Sequence, residues 1–284
     1  MDKPEGRLSI CATPIGNLED ITLRVLRTLK EADLIAAEDT RQTVKLLNHF
    51  EIETPMISYH KFNEQERTPQ LIQMMQEGKH IALVSDAGTP GISDPGEVLI
   101  RACLDNKIPV TSLPGASAFV TALTLSGLSM RRFAFEGFLP TDKKEREAVL
   151  ERLKTETRPV LFYEAPHHLK ATLKVLLDAV GDRRIVTVRE LTKKHEERRE
   201  GRLSELLGYY EEDPPRGEFV LILEGTPEEE IEQKKREAFE GMTLREHMQL
   251  YSELSEKDAM KMVAKDLGIS KREVYARLLE EKEP

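Results

Sequence analysis

The sequence predicts an α/β protein: two α/β domains followed by a small all-helical module. Three observations predict it. Short apolar runs bounded by Gly, Pro or polar residues alternate with amphipathic stretches of helical length, the rhythm of a parallel sheet covered on both faces. That rhythm pauses after Gly127 and restarts. Beyond residue 227 the strand-like runs stop, and three helix-start signals follow instead. The expected divisions are 1–127, 128–226, a charged connector 227–241 and a helical module 242–284.

In the first division RLSICATP reads as a strand, with Cys11 as a small core hydrophobe. A helix opened by Asp20 then sets Leu23, Leu26 and Leu29 on one face. LIAAED, the amphipathic TRQTVKLLNHF, PMISY and a helix near 65–77 continue the alternation. HIALVS, a helix near 97–106, IPVTSL and the apolar SAFVTALTLSGL complete about five βα units. The second division reads RFAFEGFLP, the charged helix DKKEREAVLERLKTE, PVLFYEAP, and HLKATLKVLLDAV ended by Gly181. It closes with RIVTVREL, LSELLGYYEE and EFVLILEG. Its strands look fewer, and its short hydrophobic runs suit a mixed sheet.

The connector is PEEEIEQKKREAFEG. After it, Thr243 with Glu246, Ser255 with Asp258 and Ser270 with Glu273 carry the spacing of helix starts. DAMKMVAKDLGISKREVYARLLEE is helix-turn-helix-like, and Lys271 and Arg272 stand near the N-terminus of its second helix. The same spacing reads equally as a dimerisation or capping module.

Composition narrows the function classes. The chain has 284 residues, 39% hydrophobic and 33% charged, which is that of a soluble globular protein. No apolar run approaches the roughly 18 residues of a membrane span, and MDKPEGRLSI lacks the apolar core of a signal peptide, so a cytoplasmic protein is expected. Cys11 and Cys103 form no CxxC, and no metal site is expected. A net charge of −9 argues against indiscriminate coating of nucleic acid. It leaves room for local basic faces: residues 189–202 carry six Lys/Arg against four Asp/Glu, and 257–277 carry six against three.

The strand ends of the first division are dressed alike: ATPIGNLED, AAEDTR, SYHKFNE, DAGTPGISDPG and PGASA are all Gly-, Pro- or polar-rich. Ligands of parallel sheets bind at those ends. DAGTPGISDPG, residues 86–96, is the most constrained. It lacks the lysine of a Walker loop, since Glu97 and Val98 follow Gly96, and Gly88, Gly91 and Gly96 do not have dinucleotide spacing. Its aspartates repel anions. A neutral or cationic ligand fits better than a polyphosphate.

Taken in order, ATPIGNLEDIT, AAEDTR, SYHKFNE, VSDAGTPGISDPG, LPGASA, FEGFLP, FYEAPHH, RELTKKHEE and GEFVLILEG resemble the ribosomal RNA small subunit methyltransferase I family, within the tetrapyrrole methylase superfamily. The match runs from about residue 7 to 225 and is less strong in the helical module. The resemblance implies two α/β domains with an S-adenosylmethionine cleft between them. It implies 2′-O-methylation of a cytidine ribose in the decoding region of 16S rRNA, by a homodimer acting on the small ribosomal subunit. By superfamily analogy Pro14, Asp86, Gly88, Thr89, Ile92, Ser117 and Ala118 touch the cofactor from the first domain, and Phe162, Tyr163 and Leu191 from the second. Asp86 reads equally as a turn cap.

A base is useful for such a transfer, because a hydroxyl is a poor nucleophile until its proton is being removed. Glu38, Asp39 and His60 are the strand-end candidates taken forward, among Glu164, His167, Glu190 and His195. Glu38 and Asp39 beside Arg41 read equally as a hydroxyl-orienting cluster or as a helix cap with an ion pair. His60 stands on a polar loop after its strand, with Asn63 and Glu64. Arg41, Arg189, Lys193, Lys194, Lys271 and Arg272 are the candidate RNA contacts, with Arg198 beside them; interleaved Glu196, Glu197 and Glu200 make a salt-bridged helix face the alternative. Two other functions compete. One is methylation of a tetrapyrrole, and the other is a non-catalytic, RNA-binding assembly factor.

Overall fold

The computed structural model describes residues 5–239 and 241–280, and these form two compact units. One comprises the chain as far as Leu150 together with Arg158–Glu224; the other comprises Glu151–Thr157 and the chain from Gly225 onward.

The first unit contains two five-stranded sheets. Sheet one is wholly parallel, in the order β3 (Met56–Ser58), β2 (Leu34–Ala37), β4 (His80–Val84), β1 (Arg7–Cys11), β5 (Val110–Leu113). Its registers pair Leu8 with Ile81 on one side and Val110 on the other. Both faces are apolar because both are covered. Ile81 and Leu83 join Leu71, Met75 and Leu99 of α3 (Glu64–Gln76) and α4 (Glu97–Asp105). Ala82 and Val84 point the opposite way, into Val25 and Leu29 of α1 (Leu23–Glu31) and Leu47 of α2 (Thr40–His49). Such burial on both faces explains why HIALV shows no polar alternation. Cys11 and Cys103 sit in these cores, where burial pushes each thiol up to about 12.

The start of α1 corrects the sequence reading. Asp20 lies in a short 3₁₀ turn, Leu18–Asp20, and the cap is Thr22, whose hydroxyl accepts the Val25 N–H at 3.1 Å. The N–H of Asp20 closes the 3₁₀ turn onto the Asn17 carbonyl at 3.0 Å, whereas Thr22 takes the extended conformation of a cap residue, so the helix starts from Thr22. Leu23 is consequently 85% exposed, and Val25 and Leu29 make the buried stripe.

Sheet two runs β6 (Ala134–Phe138), β7 (Val160–Glu164), β10 (Phe219–Leu223), β8 (Arg184–Arg189), β9 (Glu197–Arg202). It is mixed: β6 and β7 are parallel, and the other pairs antiparallel. It has as many strands as the first sheet, because ERREGR is a strand and not a helix face. β9 lies at the sheet edge and is held by charge: Glu200 pairs with Arg184 and Glu197 with Arg189 across the strand boundary. One face of this sheet packs on α5 (Ala118–Ser126), whose Ala122 and Leu123 meet Leu161, Val186, Val188, Val220 and Ile222. Beside α7 (Leu169–Val180) and α8 (Leu203–Glu212), the Tyr210 hydroxyl meets that of Thr187 at 2.8 Å. The helix α5 therefore follows a strand of sheet one in sequence and packs on sheet two. The remaining helix, α6, is Lys143–Leu153.

The second unit is helical. The charged connector is largely a helix, α9 (Glu228–Ala238), followed by α10 (Leu244–Gln249), α11 (Glu256–Leu267) and α12 (Lys271–Glu280). All three start signals are used: Thr243, Ser255 and Ser270 each accept the N–H three residues on. Gly268 at φ 63° turns α11 toward α12. Leu244, Met260, Val263, Ala264 and Val274 form its core. Buried His247 stacks on Phe239 and meets Asp266 at 3.0 Å. Among the described residues no helix is long and apolar enough to cross a membrane.

Candidate active site

Parallel strands deliver their following loops to one edge, and in sheet one these loops build the floor of a cleft of about 390 Å³. The loop after β4 is fixed first. Thr13 and Gly88 exchange backbone hydrogen bonds of 2.8 and 3.0 Å, and the Thr13 hydroxyl donates to the Ser85 carbonyl at 3.0 Å. Gly88 stands at φ 78°, a conformation that strains any residue with a side chain. Gly115, before α5, passes so close to the end of β1 that a Cβ there would lie 2.7 Å from the Ala12 Cβ. Ala87, Gly88, Thr89, Ile92, Ser93 and Asp94 line the cleft from this loop, with Ile15 from the loop after β1 and Ser117 and Ala118 from the start of α5. Ser117 makes no side-chain capping bond, so its hydroxyl and the first-turn N–H groups of α5 stand ready for an acceptor.

Sheet two supplies the opposite wall. Because β10 is antiparallel to β7 and β8, its first residue Phe219 lies beside Glu164 at the end of one and Arg189 at the end of the other. Tyr163 to Pro166, Glu190, Leu191, Lys193 and Glu218 to Val220 therefore line the cleft, with Phe138 from β6. Tyr163 packs edge-on to Phe138 at 5.7 Å, and its phenol is raised by burial while bonding the backbone of Phe119. Glu190 and Thr192 hold φ of 51° and 64°, and Ser93 on the facing loop holds 66°. Non-glycine residues in that region persist only where the surroundings over-determine them, and here they flank a cleft.

A network of carboxylates edges the floor. The Asp39 N–H donates to Asp86 at 3.1 Å, and the Asp86 N–H donates to Glu38 at 3.2 Å, so the ends of β2 and β4 clasp one another. Burial raises Glu38, with Asp86 and Asp39 adding to it, and burial likewise raises Asp86. Arg41 holds Asp39 down at about 2 through a bidentate side-chain pair and its own N–H. Burial pushes Asp94 up to about 7, helped by the charges of Glu38 and Asp86. On the other wall burial works to lower Lys193, but its bonds to Glu190 (2.9 Å) and Glu218 (3.0 Å) outweigh it and the ammonium is raised.

The sequence-based candidates divide accordingly. Gly88, Thr89, Ile92, Ser117, Ala118, Tyr163 and Leu191 line the cleft. Pro14 precedes Ile15 of the floor without lining the cleft itself, Asp86 sits at the rim with its carboxyl partly buried in its clasp, and Phe162 is fully buried on the opposite side of β7 from Tyr163. Glu38 and Asp39 stand in the clasp, and Asp39 does cap α2. His60 is half-buried, its N–H donating to Asn63 at 2.8 Å, close enough to Glu38 to oppose the rise of that carboxyl. Arg41 is 88% exposed but tied to Asp39, and Lys193 is tied into the cleft wall. Arg189 pairs across strands with Glu197, and Arg198 donates to the carbonyls of Leu125 and Ser126 at the end of α5. Lys194 is exposed; Lys271 and Arg272 open α12 in the second unit. Nothing in the sequence pattern singles out Ile15, Ser93, Asp94, Phe138 or Lys193 as a cleft residue, yet all five line it. The repeated aspartate of DAGTPGISDPG comes nearest to a signal. Among the described residues no three His, Cys, Asp or Glu side chains are grouped to hold a metal ion.

Comparison with known proteins adds the context. The sequence matches the family model of tetrapyrrole (corrin/porphyrin) methylases over residues 7–207. It is 47% identical over 272 residues to a Bacillus subtilis (strain 168) protein named ribosomal RNA small subunit methyltransferase I, covering 95% of this chain and 93% of that protein. A Thermotoga maritima protein of the same name is 46% identical over 220 residues, 78% of this chain and 99% of that protein. Among solved structures, uroporphyrin-III C-methyl transferase from Thermus thermophilus, complexed with S-adenyl homocysteine, superposes with a TM-score of 0.56 at 20% identity. The superposition covers 77% of this chain and 97% of that one, a likeness of fold alone.

Proposed function

The chain belongs to the tetrapyrrole (corrin/porphyrin) methylase family, and from that premise we propose that it is an S-adenosylmethionine-dependent methyltransferase acting on small-subunit ribosomal RNA. The observation that carries the reading is the 47% identity over 95% of the chain to a protein bearing that name. The finer reading is transfer to the 2′-hydroxyl of a cytidine near the decoding centre of 16S rRNA, by a cytoplasmic homodimer.

The cleft suits this cofactor on its own chemistry. Its volume falls in the range of small-molecule sites. Its floor has no phosphate-binding lysine, and its carboxylates complement a cation. Ile15, Ile92, Ala118, Tyr163 and Leu191 offer apolar surface to an adenosine, while Thr89, Ser117 and the open start of α5 offer partners to the amino-acid end. When bound, S-adenosylmethionine supplies an electrophilic methyl group on a cationic sulfonium. The residues around it position the acceptor and exclude water, which accounts for much of the acceleration in such transfers. The carboxylate edge orients the acceptor hydroxyl and receives its proton.

The test is incubation of labelled S-adenosylmethionine with small subunits from a strain lacking this protein, followed by nucleoside mass spectrometry. A 2′-O-methylcytidine formed only with active protein is the expected product. A base-methylated nucleoside overturns the finer reading, and cofactor binding without labelling of subunits or naked rRNA overturns the RNA reading.

A further inference from the structure

A hydroxyl that accepts a methyl group must release its proton, and the acceptor must stand within reach of the cleft. The carboxylates there are separated by what their oxygens already hold. Asp39 is taken by the N–H and guanidinium of Arg41. Glu38 and Asp86 accept each other's strand-end N–H groups in the clasp. Glu164 is buried and accepts the Ala165 N–H at 2.8 Å and the Thr172 hydroxyl at 2.5 Å. Glu190 accepts from Lys193 and from the Glu218 N–H.

Asp94 accepts from the Ser85 hydroxyl, a neutral donor, and is otherwise opposed by like charge from Glu38 and Asp86. It lines the cleft from the sheet-one loop, beside the strained Ser93. The groups that face it are the Glu38 and Asp86 carboxylates, the Ser85 hydroxyl and, from sheet two, the Tyr163 phenol. We propose that Asp94 is the general base that takes the proton of the acceptor hydroxyl, an assignment that rests on the methyltransferase reading above. The Asp94 carboxylate forms a bond to the hydroxyl proton as a lone pair of that oxygen forms the new bond to the methyl carbon. The pair of the broken carbon–sulfur bond stays on sulfur, leaving a neutral thioether, and the proton passes from Asp94 to solvent between turnovers. Charge balances: one cation and one carboxylate become a thioether, a methyl ether and a carboxylic acid. Protonation of Asp94 also relieves its repulsion with Glu38 and Asp86. A carboxyl pushed up to about 7 is matched to proton transfer at neutral pH, where a carboxyl at its ordinary 3.8 is a weaker base.

Asp94→Asn keeps the shape and removes the proton acceptor. Because Asp94 is one of the cleft carboxylates that complement the cofactor's cation, the variant should also bind S-adenosylmethionine more weakly, so rates are compared at cofactor concentrations that calorimetry shows to saturate each protein. The variant's transfer rate to small subunits should fall about 10²–10⁴-fold, the usual weight of a general base. The acid limb of the wild-type rate profile, near pH 7, should vanish in the variant. Independently of turnover, carbon-13 NMR of aspartate-labelled, cofactor-free protein should show one carboxyl titrating near 7 that is absent from Asp94→Asn. Asp94→Glu, retaining a carboxylate, should recover part of the rate and restore an acid limb, and it serves if the asparagine variant does not fold. An Asp94→Asn enzyme that keeps its rate and its acid limb, or a wild type with no aspartate titrating well above the ordinary range, overturns the assignment. If the wild type binds cofactor yet methylates no RNA, the underlying reading falls and takes the assignment with it. Failure of the assignment alone is recognisable because the wild type is then active.

Discussion

The two five-stranded sheets meet the same packing demand with different wiring, and the chemistry follows the wiring. In sheet one every strand runs the same way, so the loops bearing Glu38, Asp86, Asp94 and Ser117 arrive at one edge. Like charges gather there, and burial raises three of the carboxyls. In sheet two, β10 runs against both neighbours, and the matching edge combines strand ends with a strand start. That edge contributes a wall in which charge is already compensated: Lys193 is held between Glu190 and Glu218. Parallel wiring concentrates reactive groups, and mixed wiring offers a surface to press against them.

Substitutions on each side can break or sharpen this contrast. The largest effect on binding or stability is expected at Gly88→Val, where a β-branched residue at φ 78° both strains the loop and fills the floor. Affinity for S-adenosylmethionine should fall at least about 100-fold, about 2.7 kcal/mol, with circular dichroism unchanged. Unaltered binding would remove sheet one from the cofactor site.

Asp94→Asn comes next, read as stability. The folded state raises this carboxyl from 3.8 to about 7 and so favours its protonated form. The cost of ionising it is absent below pH 4, grows as pH rises through the interval and is complete above 7. Denaturant unfolding should therefore find the variant about 1–2 kcal/mol more stable than wild type at pH 8, a figure discounted for partial exposure, and equal to it near pH 4. The reverse order at pH 8 would mean that an ionised Asp94 is welcome in the fold.

Smaller effects are expected from sheet two. Arg198→Ala removes the donor to two carbonyls at the end of α5 and should cost about 1 kcal/mol. It should leave the salt dependence of RNA binding unchanged, whereas loss of a phosphate contact lowers that slope. Smallest is Thr22→Ala, which deletes the cap of α1 and should cost about 0.5–1 kcal/mol with cofactor affinity intact.

Strand ends were legible because a strand buried on both faces writes itself as an apolar run, whether its neighbours run parallel, as for HIALV, or antiparallel, as for FVLIL. The residues lost to sequence reasoning were lost for physical reasons. ERREGR forms β9 at a sheet edge through cross-strand ion pairs, so it lacks the apolar alternation by which strands are recognised. Phe162 and Tyr163 are equivalent in sequence, but alternation along β7 sends one into the core and the other into the cleft. Asp94 lies ten residues past the end of β4, and its place in the cleft is set by the Thr13–Gly88 bridge, a pairing between distant segments. The capping signals of the helical unit were legible in full because each is local to four residues.

The central claim, that both sheets close on one cofactor, is tested most directly by ultraviolet cross-linking of labelled S-adenosylmethionine followed by peptide mapping. The account predicts label in peptides from both walls: residues 87–94 or 117–118 on one side, and 163–166 or 190–193 on the other. Competition by unlabelled cofactor should abolish both. Label confined to one sheet, or found in the helices after Gly225, would contradict it.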